Sequence, residues 1–358
     1  MGKILHILNS ISYDGAAILS FRIVMITPQY NHEVISVFKG SAVDEFKRNG
    51  IVCSYLLDKK SHGLNFKLKK DLALVRYLLK NKYDIIHFHG GGISALLFAI
   101  LIKRGAKVIF HLHAGNVSGH PFKKKLSFVH QTLYKLLDPH LNKIATCNHV
   151  RKFYIEEIRP VKKDSIFLIQ NFTPYNFTSK HKINYRIGYI GRIVNEKGIQ
   201  KFLELSRSGE LRNMNLKFAM IGDIESELEV KIKERSRIGE IEYDSPSINV
   251  EKFYEMIDIL IFPSELTETL PLVILEAVSF DVAVIALRSK AAEEIFNDYP
   301  MLVEKPDSNL YVAKMKEYYS SPIIREQLRQ HHKIAANKFN ERNFSPAFVS
   351  LYESLLSR

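Results

Sequence analysis

The sequence predicts an α/β protein built from two doubly wound parallel-sheet domains, and three observations predict it. Its 358 residues exceed the roughly 100 to 200 of one ordinary domain. Short, β-branched-rich apolar runs alternate with stretches of helical spacing along most of the length. A polar stretch from Asn171 to Asn184, rich in Asn, Thr, Pro, Ser, His and Lys, separates two such series. With 46% hydrophobic and 25% charged residues the composition is globular, which excludes disordered and collagen-like chains.

The first series comprises Lys3 to Leu8, His32 to Phe38, Asp84 to His89, Lys107 to His113, Lys143 to Cys147 and Ser165 to Gln170. Each is five to eight residues long, and the alternation with helical segments reads as βα units around a parallel sheet. The second series is Arg186 to Gly191, Lys217 to Gly222, Asp258 to Phe262 and Val282 to Leu287. Ile323 to Phe339 and Pro346 to Leu356 have helical apolar spacing with polar faces, so the chain is expected to end in helices. The expected division is a first domain over 1–171, a linker over 172–184, a second domain over 185–340 and a last helix over 341–358 that packs back on the first domain. Open parallel sheets bind ligands beyond the carboxyl ends of their strands, so two of them should face a central cleft lined by residues that follow strands.

Two cysteines, Cys53 and Cys147, are too few for a disulfide framework or a four-cysteine zinc site and favour a reducing compartment. The apolar start of the chain reads as a first strand and not as a signal peptide, and the cytoplasm is the expected location. The most apolar stretch, Ile93 to Ile102, is half the roughly 20 residues that cross a bilayer. The formal charge of +13 is unevenly placed: residues 1–180 hold 27 Lys and Arg against 11 Asp and Glu, a balance of +16, and the remainder balances at −3. One half therefore is expected to face something anionic, either a membrane surface, a phosphorylated substrate or nucleic acid, unless it is merely a soluble basic domain.

The densest chemistry follows the strands of the second series. Gly191-Arg192-Ile193-Val194-Asn195-Glu196-Lys197-Gly198 places Arg192 and Lys197 on a loop between a strand and a helix. Two fixed cations there suit a diphosphate, Arg by bidentate grip and Lys as a mobile point charge; the alternative is a solvated loop. After Asp258 to Phe262, Glu268 precedes a helix whose first turn would take Pro271, and Glu276 lies within it. At 1.5 Å per residue the two carboxyls stand on the order of 12 Å apart, beyond the roughly 5 to 10 Å of a glycosidase pair, so they should touch different parts of one elongated ligand. The helix N-terminus between them is a natural phosphate seat.

Other features keep two readings. His87, His89, His111 and His113 form two His-x-His pairs on neighbouring strands, where alternate residues share a face; they are core histidines, acceptor-facing groups or a metal cluster. Gly90-Gly91-Gly92 is either a tight βα turn or a place of close backbone approach, and it lacks the GxGxxG spacing. Pro121 to Val129, with Lys123, Lys124 and Lys125, and Leu64 to Lys70 mix lysines with apolar residues. They suit an anionic membrane surface, single-stranded nucleic acid or solvated helix faces.

Taken together, Gly191-Arg192 with Lys197-Gly198, Ile221-Gly222-Asp223, Pro263-Ser264 with Glu268, and Glu276-Ala277 seven residues later resemble the retaining glycosyltransferases of family 4, which have the GT-B fold. Asp14-Gly15-Ala16, Asp84 to His89, His113-Ala114-Gly115 and Asn171 extend the resemblance over nearly the whole chain. It implies a sugar moved from a nucleotide-diphosphate donor, UDP- or GDP-linked, to a glycan acceptor in bacterial surface polysaccharide synthesis. Arg192 and Lys197 would bind the diphosphate, Glu276 the ribose and Glu268 the transferred sugar, with Thr269 and Leu270 also against the donor. Gly15, Gly191 and Gly222 would admit the donor to the backbone, and His113 would sit at the sugar and acceptor. Asp14, His89, Gly91 and Lys123 to Lys125 are candidates for the acceptor or membrane side. No metal and no other cofactor is implied, and nucleic acid is not an expected partner; the acceptor would be a glycan or a polyprenyl-pyrophosphate-linked oligosaccharide at the inner face of the plasma membrane. Relatives that epimerise or hydrolyse a nucleotide sugar, or that only bind glycan or nucleic acid, are the alternatives. The chain departs from the family at Asp14, at Phe172 after Asn171, and at Ser279 to Ala283, where small-x-Gly-x-Pro is usual; Asp281 and Ala283 read as loop variation.

Overall fold

The computed structural model describes residues 2–58, 64–90, 92–102, 105–113, 136–158, 165–266 and 268–357. The chain divides into two units, Met1–Gln170 with Arg342–Arg358, and Asn171–Glu341.

In the first unit, β1 (Lys3–Ser10), β2 (Asn31–Phe38), β3 (Cys53–Leu57), β4 (Ile85–Phe88), β5 (Lys107–Leu112), β6 (Leu141–Ala145) and β7 (Ile166–Leu168) form one parallel sheet. The order is β3-β2-β1-β4-β5-β6-β7, which reverses direction between β1 and β4. Ile4, Leu5, Ile7 and Leu8 of β1 are buried on alternating faces, as a central strand covered by helices on both sides requires. Register pairs His6 of β1 with His87 of β4.

The second unit has β8 (Arg186–Ile190), β9 (Lys217–Ile221), β10 (Glu242–Asp244), β11 (Ile259–Phe262), β12 (Ala283–Leu287) and β13 (Leu302–Val303), all parallel. Their order, β10-β9-β8-β11-β12-β13, reverses between β8 and β11. The strands absent from the sequence reading, β3, β10 and β13, all lie at sheet edges. Edge strands are short and half-solvated, so they lack the apolar run that marks an interior strand.

Residues 172–184 are held against the second unit and do not stand apart as a tether. Thr178 N–H donates to the Ser279 carbonyl at 2.8 Å, and Asn184 N–H reaches both Asp258 carboxylate oxygens at 3.0 Å. The two ends of this unit are stitched together: Thr173 N–H donates to Phe339 O at 2.9 Å and Glu341 N–H to Thr173 O at 3.0 Å.

Beyond that stitch the last helix, Ser345–Leu356, belongs to the first unit. Ser345 donates to the Ile26 carbonyl at 3.0 Å and the buried Tyr352 hydroxyl meets His87 Nδ1 at 2.9 Å. Among the described residues no helix is long and apolar enough to cross a membrane.

Asp281 is more than loop variation. Its φ of 55° is the left-handed backbone where glycine is usual, and its carboxylate accepts from His332 Nδ1 at 2.8 Å, Arg329 Nε at 2.9 Å and Lys180 N–H at 3.1 Å. Those bonds compensate a position that most side chains avoid. They also hold the Asp281 carboxyl below its usual range against the opposing effect of burial, which is the largest single influence on it. Ala283 is the first residue of β12.

Candidate active site

In the second unit the loops that follow β8, β9 and β11 converge at the carboxyl edge of the sheet. Gly191 N–H donates to Ile221 O at 3.2 Å and Ile193 N–H to Asp223 O at 2.8 Å, so the first two loops run on together as a parallel pair. A Cβ on Gly222, whose φ is 156°, would stand 1.8 Å from the Gly191 carbonyl oxygen. The third loop is tied in at Gly198, whose φ is 73° and whose added Cβ would lie 2.2 Å from the Pro263 carbonyl oxygen. Because that obstacle is backbone and the conformation is left-handed, Gly198→Ala is expected to cost about 1–3 kcal/mol, read as a fall in Tm. An unchanged Tm would contradict the close approach.

This docking brings Lys197, at the end of the short turn Asn195–Lys197, to Glu268 across 71 residues of sequence. Lys197 Nζ lies 2.5 Å from Glu268 Oε1, and Ser264 donates to the same oxygen at 2.8 Å. Arg192 is exposed, and its guanidinium makes no hydrogen bond or ion pair among the described residues; its carbonyl is fixed by the Tyr189 hydroxyl at 2.8 Å.

Beyond Glu268, Thr269 and Leu270 are buried, and the Leu270 carbonyl accepts from Asn171 Nδ2 at 2.6 Å. Pro271 serves as the cap that precedes the helix Leu272–Ser279, one position earlier than the sequence suggests. Glu276 is 4% exposed and its carboxylate accepts from the Tyr254 hydroxyl at 2.8 Å. Ser264 stood in the sequence motif only as a neighbour of Glu268, four residues away, and Tyr254 was not legible as a site residue, since it carries no local signal and reaches Glu276 only through the packing of two helices.

In the first unit Asp14 has a structural task. Its carboxylate caps the helix Gly15–Ile26 by accepting from Ala16 and Ala17 N–H at 3.1 and 3.0 Å. The positive end of that helix holds this charge in place. Gly15 begins the helix, and a Cβ there would meet nothing within 4 Å. Gly91 and Lys123 to Lys125 lie outside the described residues. On the helix Leu64–Lys80, Leu68, Leu72 and Leu79 fall on one stripe at spacings of four and seven, each more than half exposed.

The two His-x-His pairs belong to a larger array with His6 and His32, which the sequence reading missed because a lone histidine within an apolar strand looks like core. Burial lowers all six rings' pKa values, that of His113 to about 3, so they are neutral near pH 7. A chain of hydrogen bonds runs His32 Nδ1 to His6 Nε2 at 3.0 Å, His6 Nδ1 to His89 Nε2 at 3.0 Å, and His89 Nδ1 to His113 Nε2 at 2.9 Å. Thr27 fixes its polarity. The Thr27 hydroxyl proton goes to Ile23 O at 2.6 Å and the Thr27 carbonyl can only accept, so His32 Nε2, 2.9 Å from it, carries the hydrogen. Each ring then donates through Nε2 and accepts through Nδ1, a tautomer assigned from the network. A second row runs from Tyr352 through His87 to His111, whose Nδ1 lies 3.1 Å from His87 Nε2.

Family comparison agrees with this architecture. A model of glycosyl transferases group 1 matches residues 176–335 and one of glycosyltransferase family 4 matches residues 20–175. The chain is a family 4 glycosyltransferase. The transferase is 25% identical over 309 residues, 79% of it and 82% of the relative, to an uncharacterized 41.2 kDa protein in the cps region of Klebsiella pneumoniae. It is 26% identical to the Staphylococcus aureus capsular polysaccharide biosynthesis glycosyltransferase CapM over 188 residues, about half of each chain. Among solved structures, the Anabaena protein HepE in complex with UDP and glucose superposes with a TM-score of 0.77 at 16% identity, covering 99% of the transferase and 100% of HepE. The pneumococcal O-GlcNAc transferase GtfA in complex with UDP and GlcNAc gives 0.76 at 12% identity, covering 100% and 99%. At such identities the likeness establishes the fold, GT-B.

Proposed function

We propose that this transferase moves a hexose or N-acetylhexosamine from a UDP-linked donor to a glycan acceptor with retention at the anomeric carbon. The observation that carries the reading is Lys197 meeting Glu268 at the carboxyl edge of the second sheet, with Arg192 on the same loop as Lys197 and Glu276 on the helix that follows Glu268. HepE and GtfA, of like fold, bind UDP, which supports that base over GDP. Arg192 and Lys197 hold the diphosphate, Glu276 the ribose hydroxyls, and Glu268, Thr269 and Leu270 the transferred sugar. Gly191 and Gly222 admit the donor close to backbone. An arriving diphosphate takes over Lys197 from Glu268, which frees that carboxylate for a sugar hydroxyl. As the bond from the anomeric carbon to the phosphate oxygen breaks, the acceptor hydroxyl oxygen bonds to the same face of that carbon and its proton passes to the leaving phosphate. Fixed cations stabilise the growing negative charge.

The acceptor is proposed to be a lipid-pyrophosphate-linked oligosaccharide of capsule, O-antigen or exopolysaccharide assembly, met at the inner face of the plasma membrane. The capsular relatives, the basic first half and the exposed leucine stripe beside Lys69, Lys70 and Lys80 support it. In liposome flotation the wild type should float with anionic vesicles and Leu72→Glu should not; failure of the wild type to float with either anionic or neutral vesicles would point to a soluble acceptor.

The catalytic reading is tested by thermal shift against UDP-, GDP-, ADP- and CMP-sugars, followed by NMR of the product. A bound ligand at 100 times its Kd adds about 2.7 kcal/mol to the folded state. UDP-sugars should raise Tm and turnover should need acceptor. Donor consumed at the same rate without acceptor would instead assign hydrolysis or epimerisation.

A further inference from the structure

We propose that a cavity at the amino edge of the second sheet binds a phosphoryl group, as the free ion or as a phosphate monoester. The cavity, about 140 Å³, is lined by Lys180, Lys182, Asp281, Tyr318, Arg325 and Arg329 among others. Residues 180–183 lead into β8 and Asp281 leads into β12, while the helices Ser308–Ser320 and Pro322–Lys338 supply the rest of the wall. The site lies wholly within the second unit, at the opposite end of its strands from Lys197 and Glu268, and is independent of the donor reading. Its volume is well below the roughly 300–1,000 Å³ of a pocket for a drug-sized ligand, which excludes a nucleotide sugar and suits a small ion.

Two of the cations are already committed. Lys180 Nζ donates to the Glu255 carbonyl at 2.9 Å and to the Ile257 carbonyl, and lies 3.7 Å from Asp258 Oδ1. Arg329 donates to Asp281 at 2.9 Å, to the Lys180 carbonyl at 3.1 Å and to Glu326. The Asp281 carboxylate is matched in turn, Oδ1 by His332 and Oδ2 by Arg329 and Lys180 N–H. Arg325 and Lys182 differ. Arg325 Nη1 donates to the carbonyls of Tyr318 and Tyr319 at 2.6 and 3.0 Å, which fixes the guanidinium. Its Nε and Nη2 make no hydrogen bond among the described residues, and neither Arg325 nor Lys182 has a carboxylate within ion-pairing distance among them.

The second observation is Tyr318, 7% exposed, whose hydroxyl has no hydrogen-bond partner among the described residues although a buried hydroxyl ordinarily has one. Burial above all, with Asp258 and Asp281 close by, pushes its pKa up, so near neutral pH it keeps its proton and is a donor without an acceptor. A phosphoryl group supplies what the three side chains lack: negative charge for Arg325 and Lys182, an edge that matches the guanidinium fork, and an acceptor for the hydroxyl. The three donors stand on three separate segments, and the several oxygens of a tetrahedral anion can meet them together where the two of a carboxylate cannot.

The test is calorimetric titration of the full chain at constant ionic strength in chloride, with inorganic phosphate and glycerol 3-phosphate in separate arms. The expected result is saturable binding of one equivalent, which Lys197→Ala leaves unchanged. Equal affinity for the two probes assigns the free ion, and tighter binding of the ester assigns a phosphorylated molecule. Tyr318→Phe removes a hydroxyl that the protein itself does not use, so it should keep the wild-type Tm in phosphate-free buffer and weaken binding by about 10–100-fold. Arg325→Gln should weaken binding at least as much. Because Arg325 also holds two carbonyls, Tyr318→Phe and Lys182→Gln carry the test if Arg325→Gln does not fold by circular dichroism. No saturable binding of either probe, undiminished binding in Tyr318→Phe, or binding lost in Lys197→Ala and kept in Arg325→Gln would each overturn the proposal.

Discussion

Lys197→Ala should lower kcat by about 10²–10³, the loss of roughly 2.7–4 kcal/mol that follows removal of one preorganised electrostatic group from a transition state. Its effect on Tm should be small. The Lys197 and Glu268 side chains are 24% and 18% exposed, and pairs in such settings contribute at most about 1 kcal/mol once solvent screening is counted. Arg192→Ala should act likewise on rate and even less on stability, because its exposed guanidinium has no hydrogen bond or ion pair to lose among the described residues. Initial rates with a UDP-sugar and a melt of each variant separate the two quantities. Wild-type turnover in either would remove the cation pair from the reaction; a matching collapse of Tm would make Lys197 a structural residue.

The second large effect is acid sensitivity of the first unit. Burial depresses the pKa values of His6, His87, His89, His111 and His113, so at pH 5.5 these rings stay neutral when folded but take up protons when unfolded. With an unfolded value near 6.5, every ring that folding keeps neutral draws stability down as the pH falls below that value, and the five act in the same direction. The contribution is complete above about pH 7.5 and fades as pH falls through 6.5 toward the folded values. Denaturant midpoints should drop steeply from pH 7.5 to 5.5, and equal midpoints would show that the rings are solvated.

The interior of both sheets was legible in the sequence because a parallel strand buried on both faces must be apolar at nearly every position, as Ile4 to Leu8 and Ile259 to Phe262 are. Glu242–Asp244 and the two-residue Leu302–Val303 carry no such run, and only their neighbours make them strands. At the candidate site, the Arg192 to Gly198 loop was legible through its charges and glycines, whose spacing is local. The Lys197 to Glu268 pair was not, since it depends on β11 lying beside β8, nor was the Tyr254 to Glu276 bond, which joins the helices before and after β11. Asp281 was misread for a related reason: its partners Lys180, Arg329 and His332 are 101, 48 and 51 residues away.

The return of Ser345–Leu356 to the first unit has a consequence for synthesis on the ribosome. All seven strands of that unit emerge early, yet the hydroxyl that meets His87 is on Tyr352, and the nascent chain must wait through the entire Asn171–Glu341 insertion for it. The later-made unit has all its own residues first. Translation arrested shortly before residue 345 should therefore leave the second half protease-resistant and the first half, with its histidine rows uncovered, open to chaperones.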